Sequence, residues 1–229
     1  LARSLRCAPS YLCFAPPSPS HARVLANTVF LSVLHYDPRN VRASKVTANN
    51  RSHVVYLLQV QSLHRLVAGL QRVNSSLGMH ILVSGVRNRS AEAGLEQRGV
   101  RFHPMPDLDI PWWASVYHRS SFLKLHAFNF SLQTQHRVIL LDTDIGILRN
   151  IDHLGLLPTP AMVMRPGSII NTGVLVLHVR HAAELDELFE YYRWSLSWSR
   201  KEALQLRGDG GDQQLLLRFF ESKKLLVHE

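Results

Sequence analysis

Between residues 27 and 179, strand-length apolar runs alternate with longer stretches whose apolar residues recur at helical spacing. That alternation limits the fold more than any other feature of the chain. Runs at 27–35 (NTVFLSVLH), 79–84 (MHILVS), 100–105, 137–141 (RVILL), 161–164 and 174–179 read as strands. Helices are expected at 53–73, at 91–99 with Gly99 closing it, at 114–130, at 182–198 and at 212–221. A strand–helix alternation of this kind predicts an α/β fold, with a mostly parallel, mixed sheet carrying helices on both faces. The 229 residues suit one such domain. Residues 1–26, with Pro16, Pro17 and Pro19 among serines and no clear period, read as a loop or disordered lead-in. The domain is therefore expected to occupy 27–229. The first residue is Leu and the last segment stops inside a strand-like pattern, so the sequence is expected to be a fragment, truncated at its C-terminus.

Composition narrows the partners. The net charge is +9, but the Lys and Arg are scattered, with no run of five or six and no basic stripe interleaved with aromatics. Nucleic acid is not the expected partner; a soluble basic surface is the better reading of the charge. Cys7 and Cys13 can make at most one local disulfide and do not form a zinc site. No apolar run approaches the roughly 18 residues needed to span a bilayer. Four sequons, at Asn50, Asn74, Asn88 and Asn129, tilt the expected location toward the Golgi or secretory lumen rather than the cytoplasm. None of the thirteen histidines stands in a metal-binding pattern, and structural or surface roles are expected for them. Trp112 and Trp113 read first as loop anchors or core, and second as a surface for stacking a sugar ring.

The chemistry centres on Asp142-Thr143-Asp144, which follows the apolar run Val138-Ile139-Leu140-Leu141. Ligands of α/β sheets bind at the carboxyl ends of strands, and these two carboxylates sit at such an end. Placed one residue apart, they can approach one hard cation from the same side. Mn²⁺ and Mg²⁺ favour such oxygen donors and complete their shells with phosphate and water. A cation held there can neutralise a departing diphosphate.

Three further segments stand in order around that pair. Upstream is Phe122-Leu123-Lys124-Leu125, and downstream are Asn171-Thr172-Gly173 and Gly208-Asp209-Gly210-Gly211-Asp212-Gln213. Together the four resemble the motifs of glycosyltransferase family 8, the glycogenin and plant glucuronyltransferase family, over about residues 122–220. The resemblance implies a GT-A-like fold and retaining transfer of a hexose from a nucleotide-diphosphate sugar, with UDP as the expected nucleotide. The acceptor would be a hydroxyl on a glycan or protein. Asp142 and Asp144 would bind Mn²⁺ or Mg²⁺, with Asp144 also near the ribose. Lys124 would lie against phosphate or donor sugar. Asn171, Thr172 and Gly173 would line the sugar pocket, while Asp209, Asp212 and Gln213 would hold sugar hydroxyls. Asp212 would lie nearest the reacting carbon, so the implied catalytic set is Asp212, Lys124 and Gln213.

The chain departs from the family in two places. The family's third metal ligand is a histidine in a His-x-x-Gly-x-x-Lys-Pro-Trp-like segment, and none precedes Glu229; His228 lacks the residues that should follow it. The first strand also lacks the usual nucleotide contact, for which Tyr36 is the substitute. Taken singly, the motif residues have ordinary readings as well. Lys124 could be a solvated helix lysine, Asn171 a turn residue and Asp212 a helix N-cap. Two other functions compete. Asp142-Thr143-Asp144-Ile145-Gly146 and Gly208-Asp209-Gly210-Gly211-Asp212 also resemble the acidic loops of haloacid dehalogenase-like phosphatases, which would require a strand to deliver the second loop. A transferase-like protein that binds a glycan without turnover is the other.

Overall fold

The computed structural model describes residues 18–36, 48–85, 88–114, 116–165, 169–199, 202 and 211–223. Cys7, Cys13, Asp209 and His228 lie outside the described residues, as do the side chains of Tyr36 and Asn50.

Among the described residues, six strands form one sheet in the order β3-β2-β1-β4-β6-β5. They are β1 (Thr28–Tyr36), β2 (Gly78–Gly85), β3 (Arg101–Met105), β4 (Arg137–Leu141), β5 (Ala161–Arg165) and β6 (Ile169–Leu177). The first four pair in parallel, while β6 runs antiparallel to both β4 and β5. The expected mixed, mostly parallel sheet is thus observed. Alternation along each strand feeds two separate cores, since successive side chains point to opposite faces. Val29, Leu31, Val138, Leu140, Leu175 and Leu177 face one layer of helices. Phe30, Leu34, Ile139, Leu141 and Val176 face the other.

The first layer holds α4 (His126–Thr134), α5 (Ala182–Leu196) and α6 (Asp212–Ser222). The second holds α2 (Ala48–Arg72) and α3 (Arg89–Glu96). Because both faces are covered, the strands are apolar on both sides, which is why the sequence shows them as continuous runs. Gly99 has φ +82° after α3, the left-handed position its placement in the sequence suggested.

Three expectations are corrected. The lead-in up to residue 26 contains a helix, α1 (Pro19–Ala26), capped by the Ser18 hydroxyl and opened by Pro19. It buries no residue fully, so the sequence carries no apolar period to announce it. The single helix expected at 114–130 is instead a 3-10 helix, Val116–Leu125, running into α4. Three-residue turns bring Phe122 and Leu125 onto one line, and both are fully buried. Finally, β6 starts at Ile169 rather than 174, which puts Asn171-Thr172-Gly173 inside a strand. Asn and Gly are poor strand formers; here Asn171 is held by pairing with Val163 and Gly173 by the bond from the Asp142 N–H. The register against β5 jumps between Met162↔Leu175 and Val163↔Asn171, so Thr172 to Val174 form a bulge on the β5 side.

Candidate active site

A cleft of about 900 Å³ opens at the carboxyl end of β4. Asp142 directly follows that strand, and its backbone N–H donates to the Gly173 carbonyl at 2.9 Å, extending the β4–β6 ladder by one bond. The bulge in β6 presents Thr172 and Gly173 beside it. From the helical side, the 3-10 helix contributes Lys124, and α6 contributes Asp212 as its first residue. Four segments far apart in the sequence thus meet in one place.

At the centre is a buried charge cluster. Lys124 Nζ lies 2.6 Å from Asp142 Oδ1 and 3.8 Å from Asp212 Oδ2. It also donates to Thr172 Oγ1 at 3.3 Å, and that hydroxyl donates to Asp212 Oδ2 at 2.6 Å. Thr172 therefore links the ammonium to the second carboxylate. Lys124 is 8% exposed, Asp212 2% and Thr172 0%. A lysine and an aspartate almost never reach such burial unless paired. The reading of Lys124 as a solvated lysine is thereby excluded, while Asn171 stands inside β6. Asp212 is not the N-cap either; Gly211 is. The Asp212 backbone N–H donates to Ser121 Oγ at 3.2 Å, which ties the start of α6 to the 3-10 helix.

Burial pushes the Asp142 carboxyl above the usual carboxylate range. The Lys124 ammonium pulls the other way without cancelling that effect, and the Asp212 and Asp144 charges push it up further. Asp142 Oδ2 lies toward Gly173. A Cβ on Gly173 would come within 2.8 Å of Asn171 Oδ1 and 3.1 Å of Asp142 Oδ2, so only glycine fits without displacing one of them. Asn171 Oδ1 is itself held by the Gly173 N–H at 2.8 Å.

Asp144 is exposed on the rim of the same cleft, and Gln213 is half-buried in its wall. Among the described residues, no group of three His, Cys, Asp or Glu could close around a metal ion. Asp142 and Asp144 offer two carboxylates, and that matches the chemistry of a cation that keeps several waters and takes its other ligands from substrate phosphates. The pair therefore fits a substrate-bridging cation and does not fit a fully enclosed structural one.

The sequence reading missed Ser121 and His118. Both line the cleft with Lys124, at spacings of three. On a 3-10 helix such positions stack on one face, so this period was the signal, hidden by the expectation of an α-helix. His35 and Gln59 close the opposite wall. Trp112 and Trp113 anchor loops: their indole N–H groups donate to the carbonyls of Trp198 and Ser195 at 2.8 and 2.9 Å.

No family model matches the sequence, and no curated protein matches it. Among solved structures, the chain is similar to a transferase carrying two cysteine-to-serine substitutions. The TM-score is 0.50 at 13% identity, over 89% of this chain and 88% of that one. It is also similar to a protein described as a nucleotide-diphospho-sugar transferase from Desulfovibrio desulfuricans G20, with a TM-score of 0.43 at 15% identity, over 86% and 77% of the two chains. At such identities the likeness to the first concerns the fold, and it extends over nearly the whole of both chains.

Proposed function

We propose that this chain is a metal-dependent, retaining glycosyltransferase of the family 8 kind, moving a hexose from a UDP-sugar to a hydroxyl on a glycan or protein. One observation carries the reading: the motif segments at Lys124, Asp142–Asp144, Asn171–Gly173 and Asp212–Gln213 converge on one cleft at the carboxyl end of a strand. The overall likeness to a transferase supports it at the level of fold.

Each residue then has a part. Asp142 and Asp144 hold Mn²⁺ or Mg²⁺, which when bound supplies positive charge against the leaving diphosphate. Lys124 adds a buried ammonium where negative charge develops, and its burial strengthens the interaction. Thr172 fixes the Asp212 carboxylate in the cleft wall by its 2.6 Å hydrogen bond. In that position Asp212 stabilises positive charge at the anomeric carbon. Gln213, one residue on at the start of α6, offers an amide to sugar hydroxyls, and Gly173 lets the donor approach the β6 backbone closely.

The phosphatase reading needs a strand delivering the second acidic loop. Residues 203–210, where that strand would stand, lie outside the described residues, and Asp212 itself opens a helix.

Calorimetric titration of UDP into the protein with Mn²⁺, with EDTA, and into an Asp142→Ala/Asp144→Ala variant tests the proposal. Binding that requires Mn²⁺ and vanishes in the variant is expected. Binding indifferent to both the metal and the aspartates would overturn it. UDP-sugar hydrolysis, measured on the same samples, separates an active transferase from a binding protein.

A further inference from the structure

The Lys124 ammonium makes its shortest contact, 2.6 Å, with one oxygen of Asp142, although Asp212 stands on its other side at 3.8 Å. Asp142 is also the first of the two aspartates proposed to hold the cation. Its two oxygens are not equivalent. A Cβ built on Gly173 would lie 3.1 Å from Oδ2, while Oδ1 is paired with the Lys124 ammonium. Two carboxylates, Asp142 and Asp212, share one ammonium, and the Asp144 charge also acts on Asp142, so the site keeps surplus negative charge that a divalent cation would offset.

Resting on the reading above, we propose that Lys124 is a built-in competitor for the metal. Cation and ammonium claim the same Asp142 carboxylate, and Asp212 with Thr172 is the second seat to which the displaced ammonium turns. The second seat is prepared: Thr172 Oγ1 already accepts from Nζ at 3.3 Å and donates to Asp212 at 2.6 Å. A move of about 1 Å would shorten the existing Nζ–Asp212 ion pair to hydrogen-bonding distance while keeping its Thr172 bond. Loading the cation thus delivers the ammonium toward the carboxylate nearest the transferred sugar. Without a cation the ammonium holds Asp142 and keeps a buried carboxylate from standing unpaired.

The test is the affinity for Mn²⁺ alone, without nucleotide, read by the loss of the free-ion electron paramagnetic resonance signal. The proteins are wild type, Lys124→Met, Asp212→Asn, the double variant and Asp142→Asn. Lys124→Met should bind Mn²⁺ roughly tenfold more tightly than wild type, within the usual range for coupled sites. Asp212→Asn should bind more weakly, because the displaced ammonium loses its second seat. In the Lys124→Met background the same Asp212 change should cost less, so the two effects are coupled. A purely long-range charge effect makes them additive, and additivity overturns the proposal. So does Lys124→Met binding equal to or weaker than wild type, provided that Mn²⁺ binding still depends on Asp142. If wild type binds no Mn²⁺, or binds it as well in Asp142→Asn, the metal reading itself fails and the competition falls with it. Should Lys124→Met fail to fold, Lys124→Gln replaces it, and the unfolding midpoint of each variant shows which of them can be used.

Discussion

Thr172 is fully buried, yet its hydroxyl is doubly used, taking a hydrogen from Lys124 and giving its own to Asp212. Gly173, next in sequence, does the converse: it contributes by the atoms it lacks. Replacing it with alanine puts a methyl 2.8 Å from Asn171 Oδ1 and 3.1 Å from Asp142 Oδ2. Both neighbours are constrained, Asn171 by the Gly173 N–H and Asp142 by Lys124. Relief by overpacking shifts costs about 1–3 kcal/mol. Because the carboxylate pushed aside is the one proposed to hold the cation, Gly173→Ala is expected to weaken Mn²⁺-dependent UDP binding about tenfold, equivalent to ~1.4 kcal/mol. Its fold should persist by circular dichroism. Unchanged UDP affinity in a folded variant would show that the Asp142 position does not matter to the ligand.

Elements at the opposite end of the sheet determine stability without touching the cleft. The turn between α2 and β2 is pinned by Asp152, at the start of a 3-10 helix after β4 (Asp152–Leu156). Its carboxylate accepts from Ser75 Oγ at 2.6 Å, Ser76 N at 2.9 Å and Ser76 Oγ at 3.0 Å. Asp152 is buried, so removing it leaves donors without a partner and costs about 3 kcal/mol. Asp152→Ala should lower the urea midpoint markedly while leaving the UDP dissociation constant as in wild type. A parallel loss of UDP affinity would mean that the two ends of the sheet are coupled.

The contrast between these ends also explains how much of the chain could be read beforehand. The run at 137–141 could be read as a strand because both of its faces are buried. Asp142 was recognisable by following it. Lys124, Thr172 and Asp212 could be named only through the ordered motifs, because their burial depends on partners up to 88 positions away. Ser121 and His118 were hidden by the three-residue period, and the bulge in β6 by residues that disfavour strands.

The molecule as a whole carries a net charge of +9 with its histidines neutral, so acidification adds like charge to an already basic chain. Where the protons land decides the outcome. His80 and His103 share a 2.8 Å hydrogen bond between β2 and β3, with rings stacked 5.0 Å apart. Burial first, and then the charges of His103, Arg101 and His136, drive His80 from its ordinary 6.5 down to about 4. His103, His126 and His178 are lowered by burial as well. For each of them the unfolded chain binds the proton more readily than the native one. The stability they contribute is therefore complete above their unfolded values and declines as pH falls below about 6.5. Asp142 works in the opposite sense, since its raised native value favours the folded state on protonation, but it is one group against four. His80 alone accounts for up to about 3 kcal/mol between pH 6.5 and 4. Urea unfolding at pH 7.5 and at pH 4.5 should show wild type losing stability at the lower pH. His80→Gln, which keeps a partner for His103 but does not titrate, should lose clearly less over the same interval. An equal loss in both proteins would move the acid sensitivity away from the β2–β3 pair and onto the remaining histidines.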